Sequence, residues 1–347
     1  MEMAEMAEPV AIQTNNTAYL NSYWFSGIEP MSDAQMRARV LELKSYGIKY
    51  QLADIGVLLS SGDSRNGTLP ADGYSELGRW IKVSRETDPS QKIVAAVNDG
   101  KRTIWLDGGK IGNPSFGNAV YNGNLRTLAD KLVNRGVPYG GALYMADGIQ
   151  LDIEGFMRDD PVLKATAQSV RSVLDDAAVY SIACPYDPAL WSDSYIGEMA
   201  GIFNMLNPMM YDQLGWGSPV YSPETYRQFW ETTIVRYAHA IVKSSRPGTR
   251  LNPTMPAYEK KTADDGTVYH DPAIENILYA AQGLKRARDR LSLDRAGDPR
   301  LNPNGVHGAG IFWWSKFIMR GPDPHDPDAH DYAQDRSWWM EEWMRQP

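Results

Sequence analysis

Residues 148–154 read Gly-Ile-Gln-Leu-Asp-Ile-Glu, with a polar side chain at every second position. Strand side chains alternate faces with period two. Gln150, Asp152 and Glu154 therefore share one face, and Ile149, Leu151 and Ile153 the other. Crowding two carboxylic acids beside an amide is costly, because like charges and burial both raise carboxyl pKa values. A strand that accepts this cost is a solvated edge or part of an active site. The apolar second face, and the turn residues Ala146, Asp147 and Gly148 ahead of it, indicate a central strand and favour the active site. Glu154 ends the strand, at a rim where a carboxyl kept protonated near neutral pH can donate a proton. Its structural alternative is a glutamate paired to an arginine on a neighbouring strand. Asp152 lies one strand step deeper, roughly 7 Å away. That depth suits an orienting or charge-tuning role better than nucleophilic attack.

A second group stands at 209–212, Met-Met-Tyr-Asp. Met209 and Tyr211 share a face, which points Tyr211 inward, and Asp212 reaches the same mouth if the strand bends. A core tyrosine with a satisfied hydroxyl is the structural alternative for Tyr211. Other expected strand ends are also polar or aromatic: Trp24, Asn98 and Asp99, Tyr186, Tyr258, and Trp313 with Trp314. Together they outline a site of acids and aromatic rings. No metal or other cofactor is expected. The five histidines, His239, His270, His307, His325 and His330, do not pair at helical spacing. Asp323, Asp326 and Asp328 lack the glycine and full ligand pattern of a calcium loop. No dinucleotide fingerprint follows the first strand. Cys184, the single cysteine, reads as a small core residue.

The elements that must position these residues alternate along the chain. Strands are expected at 19–24, 48–59, 92–98, 148–154, 179–185, 206–212, 251–258 and 308–315. Helices are expected at 32–46, 74–85, 124–134, 161–174, 187–203, 224–243, 272–290 and 338–343. Segments 99–120 and 259–271 read as loops, the first with room for a hairpin, and 321–330 as a turn-rich loop. Eight alternations imply a parallel sheet with crossover helices, and in this length an α/β, (β/α)8 barrel. Such barrels carry their chemistry at the C-terminal ends of the strands. Residues 1–15 are expected to be a poorly ordered arm, and 16–347 a single barrel with a C-terminal helix. The chain has 347 residues, 43% hydrophobic, with 11 Trp and 19 Tyr against 7 Phe. Surplus Trp and Tyr suit an aromatic-lined groove, an interface or a core. A net charge of −8 without a long basic run argues against a nucleic-acid partner. No apolar run is long enough to span a membrane. The N-terminus lacks the basic and apolar regions of a signal peptide.

The fourth-strand motif Asp147-Gly148-Ile149-Gln150-Leu151-Asp152-Ile153-Glu154 resembles the Asp-Gly-x-Asp-x-Asp-x-Glu signature of glycoside hydrolase family 18, the chitinase and endo-β-N-acetylglucosaminidase family. Met209-Met210-Tyr211-Asp212 resembles that family's sixth-strand Met-x-Tyr-Asp, and residues 310–315 its eighth-strand segment, where a tryptophan floors the sugar subsite. The resemblance implies hydrolysis of β-linked N-acetylhexosamine glycans with retention and without an enzyme nucleophile. It makes Glu154 the acid/base and has Asp152 orient the substrate's acetamido group. Tyr211 would donate to the acetamido oxygen, and Asp212 would hold a sugar hydroxyl or help orient that group. Trp313 is the expected floor, with Trp314 as the alternative because the strand register is open. Tyr258, Asn98, Trp24 and Met209 complete the expected substrate contacts, and the implied partner is an oligosaccharide or polysaccharide.

Departures from the pattern shape the expectation. Gln150 replaces the family's inner aspartate and cannot share a proton with Asp152, so activity is altered or lost. The third strand lacks Ser-x-Gly-Gly. The interval 259–307 is short for the domain that deepens the groove of processive chitinases, which implies a shallower cleft. Two other functions stay open: a non-catalytic carbohydrate-binding protein on the same barrel, and a glycosidase for sugars without the acetamido group. By family analogy the protein acts outside the cell or at its envelope.

Overall fold

The computed structural model describes residues 15–28, 30–58, 74–99, 104–106, 109–111, 119–153, 158–214, 219–301, 306, 308–320 and 330–346. Nine strands form one sheet: β1 (Asn16–Leu20), β2 (Ile48–Leu58), β3 (Lys92–Asp99), β4 (Gly148–Asp152), β5 (Val179–Cys184), β6 (Met205–Pro208), β7 (Arg250–Leu251), β8 (Thr254–Pro256) and β9 (Gly310–Phe312). Their spatial order is β7-β6-β5-β4-β3-β2-β1-β9-β8, and every pair is parallel. Parallel pairing needs a crossover between successive strands. Helices α1 (Asp33–Ser45), α2 (Leu77–Thr87), α3 (Ala119–Asp130), α4 (Pro161–Arg171), α5 (Asp193–Ile202), α6 (Pro223–Ile241) and α7 (Ile277–Asp294) supply the crossovers, and α8 (Tyr332–Trp338) follows the last strand. The sheet curls. β7 and β8 stand at opposite ends of the strand order, yet only Asn252 and Pro253 separate them in the chain. Met209 also bridges to Thr254 across that gap.

Local chemistry explains the helix starts. Ser32 and Ser222 each form a capping box that satisfies exposed N–H groups of α1 and α6. Asp160 caps α4, with Pro161 in the first turn where its missing N–H costs nothing. Alternation along the strands then sorts side chains. Ile149, Leu151 and Ile153 join the large core between sheet and helices. Tyr19, Tyr50, Leu52, Val94, Ala96, Val179 and Met205 form a second cluster, with Phe312 packed against it.

Several boundaries differ from the sequence reading. The first strand ends at Leu20, and Tyr23–Ser26 is a helical turn, so Trp24 is no strand end. The segments read as loops contain antiparallel pairs at Ile104–Leu106 with Gly109–Ile111 and at Lys261–Thr262 with Val268–His270. A third pair, Val137–Tyr139 with Ala142–Tyr144, precedes β4. Strands this short carry almost no periodic signal. The expected arm falls on residues outside those described, apart from Asn15, as does most of the 321–330 loop.

Candidate active site

All strands of the sheet run the same way, so their C-terminal ends gather on one side. A pocket of about 420 Å3 opens there, lined by Tyr19, Leu20, Asn21, Ser22, Tyr23, Asp54, Ala96, Asn98, Asp152, Tyr211, Phe312 and Trp313. Asp152 ends β4 half-buried, beside its register partner Asn98 on β3. Asn98 donates through Nδ2 to Asp54 Oδ1 at 2.9 Å, and the Gly56 N–H donates to the same oxygen at 2.9 Å. The β2–β3 register shifts between Asp54 and Val57, and Gly56 has φ of 111°. Such a bulge re-aims a side chain, and the conformation favours glycine.

Gln150 lies fully buried beneath the pocket. Its Nε2 donates to the Tyr19 hydroxyl at 3.0 Å, and its Oε1 accepts from Ser181 Oγ at 3.0 Å and Asn207 Nδ2 at 2.8 Å. Burial, and next the charge of Asp152, push the Tyr19 hydroxyl far above its ordinary value, so it stays protonated. The amide thus fills its position as a junction between β1, β4, β5 and β6.

The opposite wall is aromatic. Phe312 is sandwiched between Tyr211, at 4.9 Å between ring centroids and 7° between planes, and Trp313, at 5.1 Å and 17°. Trp313 and Tyr23 keep 39% and 45% of their surface exposed at the pocket, enough to present a ring face to a ligand. Asp212 follows Tyr211 with φ of 59°, a left-handed conformation that aspartate tolerates better than most residues. The backbone therefore turns at Asp212, and Asp212 stands beside the pocket, outside its lining. The Tyr258 hydroxyl donates to Asp212 Oδ1, and the Tyr258 ring meets Tyr211 edge-on at 6.1 Å.

The structure brings Asp152, Tyr211, Asn98 and Trp313 to one pocket, with Gln150, Tyr258 and Asp212 behind or beside it. Met209 is half-buried against the core. Trp314 is fully buried on Phe317 and Tyr46. Trp24 packs on Trp80 and lines a separate groove with Met31, Arg39 and Tyr46. Glu154, two residues past Asp152, lies outside the described residues, and so does the Asp99 side chain. The sequence reading missed Asp54, Tyr19 and Tyr23 as pocket residues. Asp54 had a signal: it stands three residues from Gln51 in one strand, so the two face opposite ways. Gln51 does point away from the pocket, buried where it accepts from the Trp80 indole and donates to Gln91. Among the described residues no three His, Cys, Asp or Glu side chains are grouped to hold a metal ion, and no helix is long and apolar enough to cross a membrane.

No protein-family model and no curated protein matches the chain. Solved structures do. The spore cortex-lytic enzyme SleL of Bacillus megaterium QM B1551 matches with TM-score 0.52 and 11% identity, over 96% of this chain and 75% of that one. A xylanase-A-amylase inhibitor protein matches with TM-score 0.52 and 14% identity, over 95% and 99%. A family GH18 chitinase from Cycas revoluta, in complex with allosamidin, matches with TM-score 0.52 and 11% identity, over 87% and 95%. At such identities the likeness is one of fold. Structures with this fold thus include a spore cortex-lytic enzyme, a chitinase and an inhibitor protein.

Proposed function

We propose that this chain is a glycoside hydrolase of the family 18 type, acting on glycans with β-linked N-acetylhexosamine. On this reading residues 250–256 count as one strand, the sheet is a closed (β/α)8 barrel, and 16–347 form one unit. The observation that carries the reading is the convergence of Asp152, Asn98, Tyr211 and Trp313 at the C-terminal mouth of the sheet. An acid, an amide, a phenol and an exposed indole line one pocket there, a set of groups suited to an acetamido sugar.

Glu154 gives its proton to the glycosidic oxygen as the bond from that oxygen to the anomeric carbon breaks. The substrate's acetamido oxygen forms the new bond to that carbon, giving an oxazolinium ion. Asp152 accepts from the acetamido N–H and offsets the positive charge. Tyr211 donates to the acetamido oxygen, and Trp313 stacks on the sugar. Water then opens the oxazolinium ring, and Glu154 takes back a proton.

A second reading, a carbohydrate-binding or inhibitor protein, is favoured by one observation. Gln150 is engaged by Tyr19, Ser181 and Asn207, where a carboxyl would share a proton with Asp152. A panel of chito-oligosaccharides, N-glycans and glycans without acetamido groups, followed by product mass, separates the readings. Wild type is expected to cleave an acetamido substrate, and Glu154→Gln to lose about 10²-fold or more, as for removal of a general acid. Binding without cleavage supports the second reading. Cleavage only of sugars without the acetamido group removes the substrate-assisted mechanism.

A further inference from the structure

Behind the pocket lies a buried polar cluster that the mechanism does not use. His270 and Glu275 have fully buried side chains. His270 Nδ1 stands 3.2 Å from Glu275 Oε2 and 3.6 Å from Asp212 Oδ1, and Nε2 stands 3.3 Å from the Tyr258 carbonyl oxygen. The imidazole stacks on the Tyr258 ring at 4.1 Å. Among the described residues, the groups that face the ring nitrogens are thus oxygens able to accept. A neutral imidazole has one N–H and one lone pair, so either tautomer would set a lone pair against an acceptor. With the facing carboxyls ionised, and so acceptors only, a ring with both protons is the form that satisfies both sides. We propose that His270, protonated on both nitrogens, is a positioning residue that holds the Tyr211–Asp212–Gln213 turn at the edge of the pocket.

The clamp has three arms. His270 donates to Glu275, whose other oxygen accepts the backbone N–H of Gln213 at 2.8 Å. Its Nδ1 also faces Asp212. Tyr258, whose ring the imidazole covers, donates its hydroxyl to Asp212. Burial, and next the Asp212 charge, raise that hydroxyl well above its ordinary value, so it remains a donor. Among the described residues, the titratable groups facing the ring are Asp212, Glu275 and Tyr258; Lys261 is the register partner of His270 in the short antiparallel pair, and the Asp335 carboxylate is close enough to feel the imidazole's charge. The left-handed backbone of Asp212 costs free energy, and these contacts over-determine it. The clamp does not depend on the reaction proposed above; only its kinetic readout does.

The test is a long-range 1H–15N spectrum of the full chain at pH 7 with labelled histidine. His270 is assigned as the signal lost in His270→Gln or, should that variant not fold, as the one displaced in Tyr258→Phe. Both ring nitrogens are expected to carry protons; a neutral-tautomer pattern overturns the proposal. The Tm losses of His270→Gln and Glu275→Gln should each exceed that of the double variant, because each single change strands one buried charge. Additive losses overturn the charged pair. With a cleaved substrate, His270→Gln should lower kcat about tenfold or more, with KM held within about twofold, as for misplaced reacting groups. Unchanged kcat removes the positioning role. A wild type that cleaves nothing removes the proposed reaction, while the spectrum and the double variant still decide this inference.

Discussion

A buried amide must place both its ends, and Gln150 does so with three partners on three other strands. Leucine there would fill similar space and strand the Ser181 hydroxyl and the Asn207 amide. Each buried group left unpaired costs about 1–3 kcal/mol. Gln150→Leu is therefore expected to lower stability by roughly 2–4 kcal/mol, read as a shifted urea midpoint at unchanged slope. A wild-type midpoint would mean that the network contributes nothing. The facing of Gln150 and Asp152 was legible in the sequence, because period-two alternation is a property of the strand alone. The partners of Gln150 were not, since Tyr19, Ser181 and Asn207 lie 131, 31 and 57 residues away.

At the scale of elements, Gly148 decides how closely β4 and β5 approach. A Cβ built there would lie 1.9 Å from the Val179 carbonyl oxygen, which is backbone and cannot swing aside. Gly148→Ala should destabilise by about 4 kcal/mol or more, the range of severe core disruption, or abolish soluble folding. A thermal midpoint like that of wild type would refute the close approach. The strands and crossover helices were readable because each is long enough to show a period. The bulge after Asp54 and the three short antiparallel pairs were not, because two or three residues carry no period. The stop of the first strand at Leu20 also escaped: Tyr23–Ser26 forms a helical turn that buries Trp24 and Phe25 against Trp80.

Across the molecule, the C-terminal segment is tied back to the sheet. The Trp343 indole donates to Asn16 at 2.8 Å at the start of β1, and the Trp339 indole to the Tyr46 carbonyl at 3.0 Å. Near the other end of the sheet, Glu259 accepts from Lys261, faces Lys316 Nζ at 3.3 Å and accepts from the Tyr332 hydroxyl at 3.1 Å. Burial works against its charge, but the Lys261 hydrogen bond and the two lysine charges prevail and hold the carboxyl down to about 2. A carboxyl depressed in the folded state stabilises above its unfolded value and loses that contribution as pH falls through the folded one. The stability difference between wild type and Glu259→Gln should thus be constant above about pH 5 and shrink between about 4.5 and 2. A difference independent of pH in urea titrations would show that this carboxylate does not link the three segments.

The sequence by itself determined the rhythm of strands and helices and the inward face of the fourth strand. These rest on local repeats and short motifs. Only the tertiary structure decided which strand ends share a pocket, that Asp54 and Tyr23 join it, that Trp314 and Trp24 leave it, and that His270 stands behind Asp212. Each of those depends on register, a bulge or a turn, which set direction in space and leave no period in the sequence.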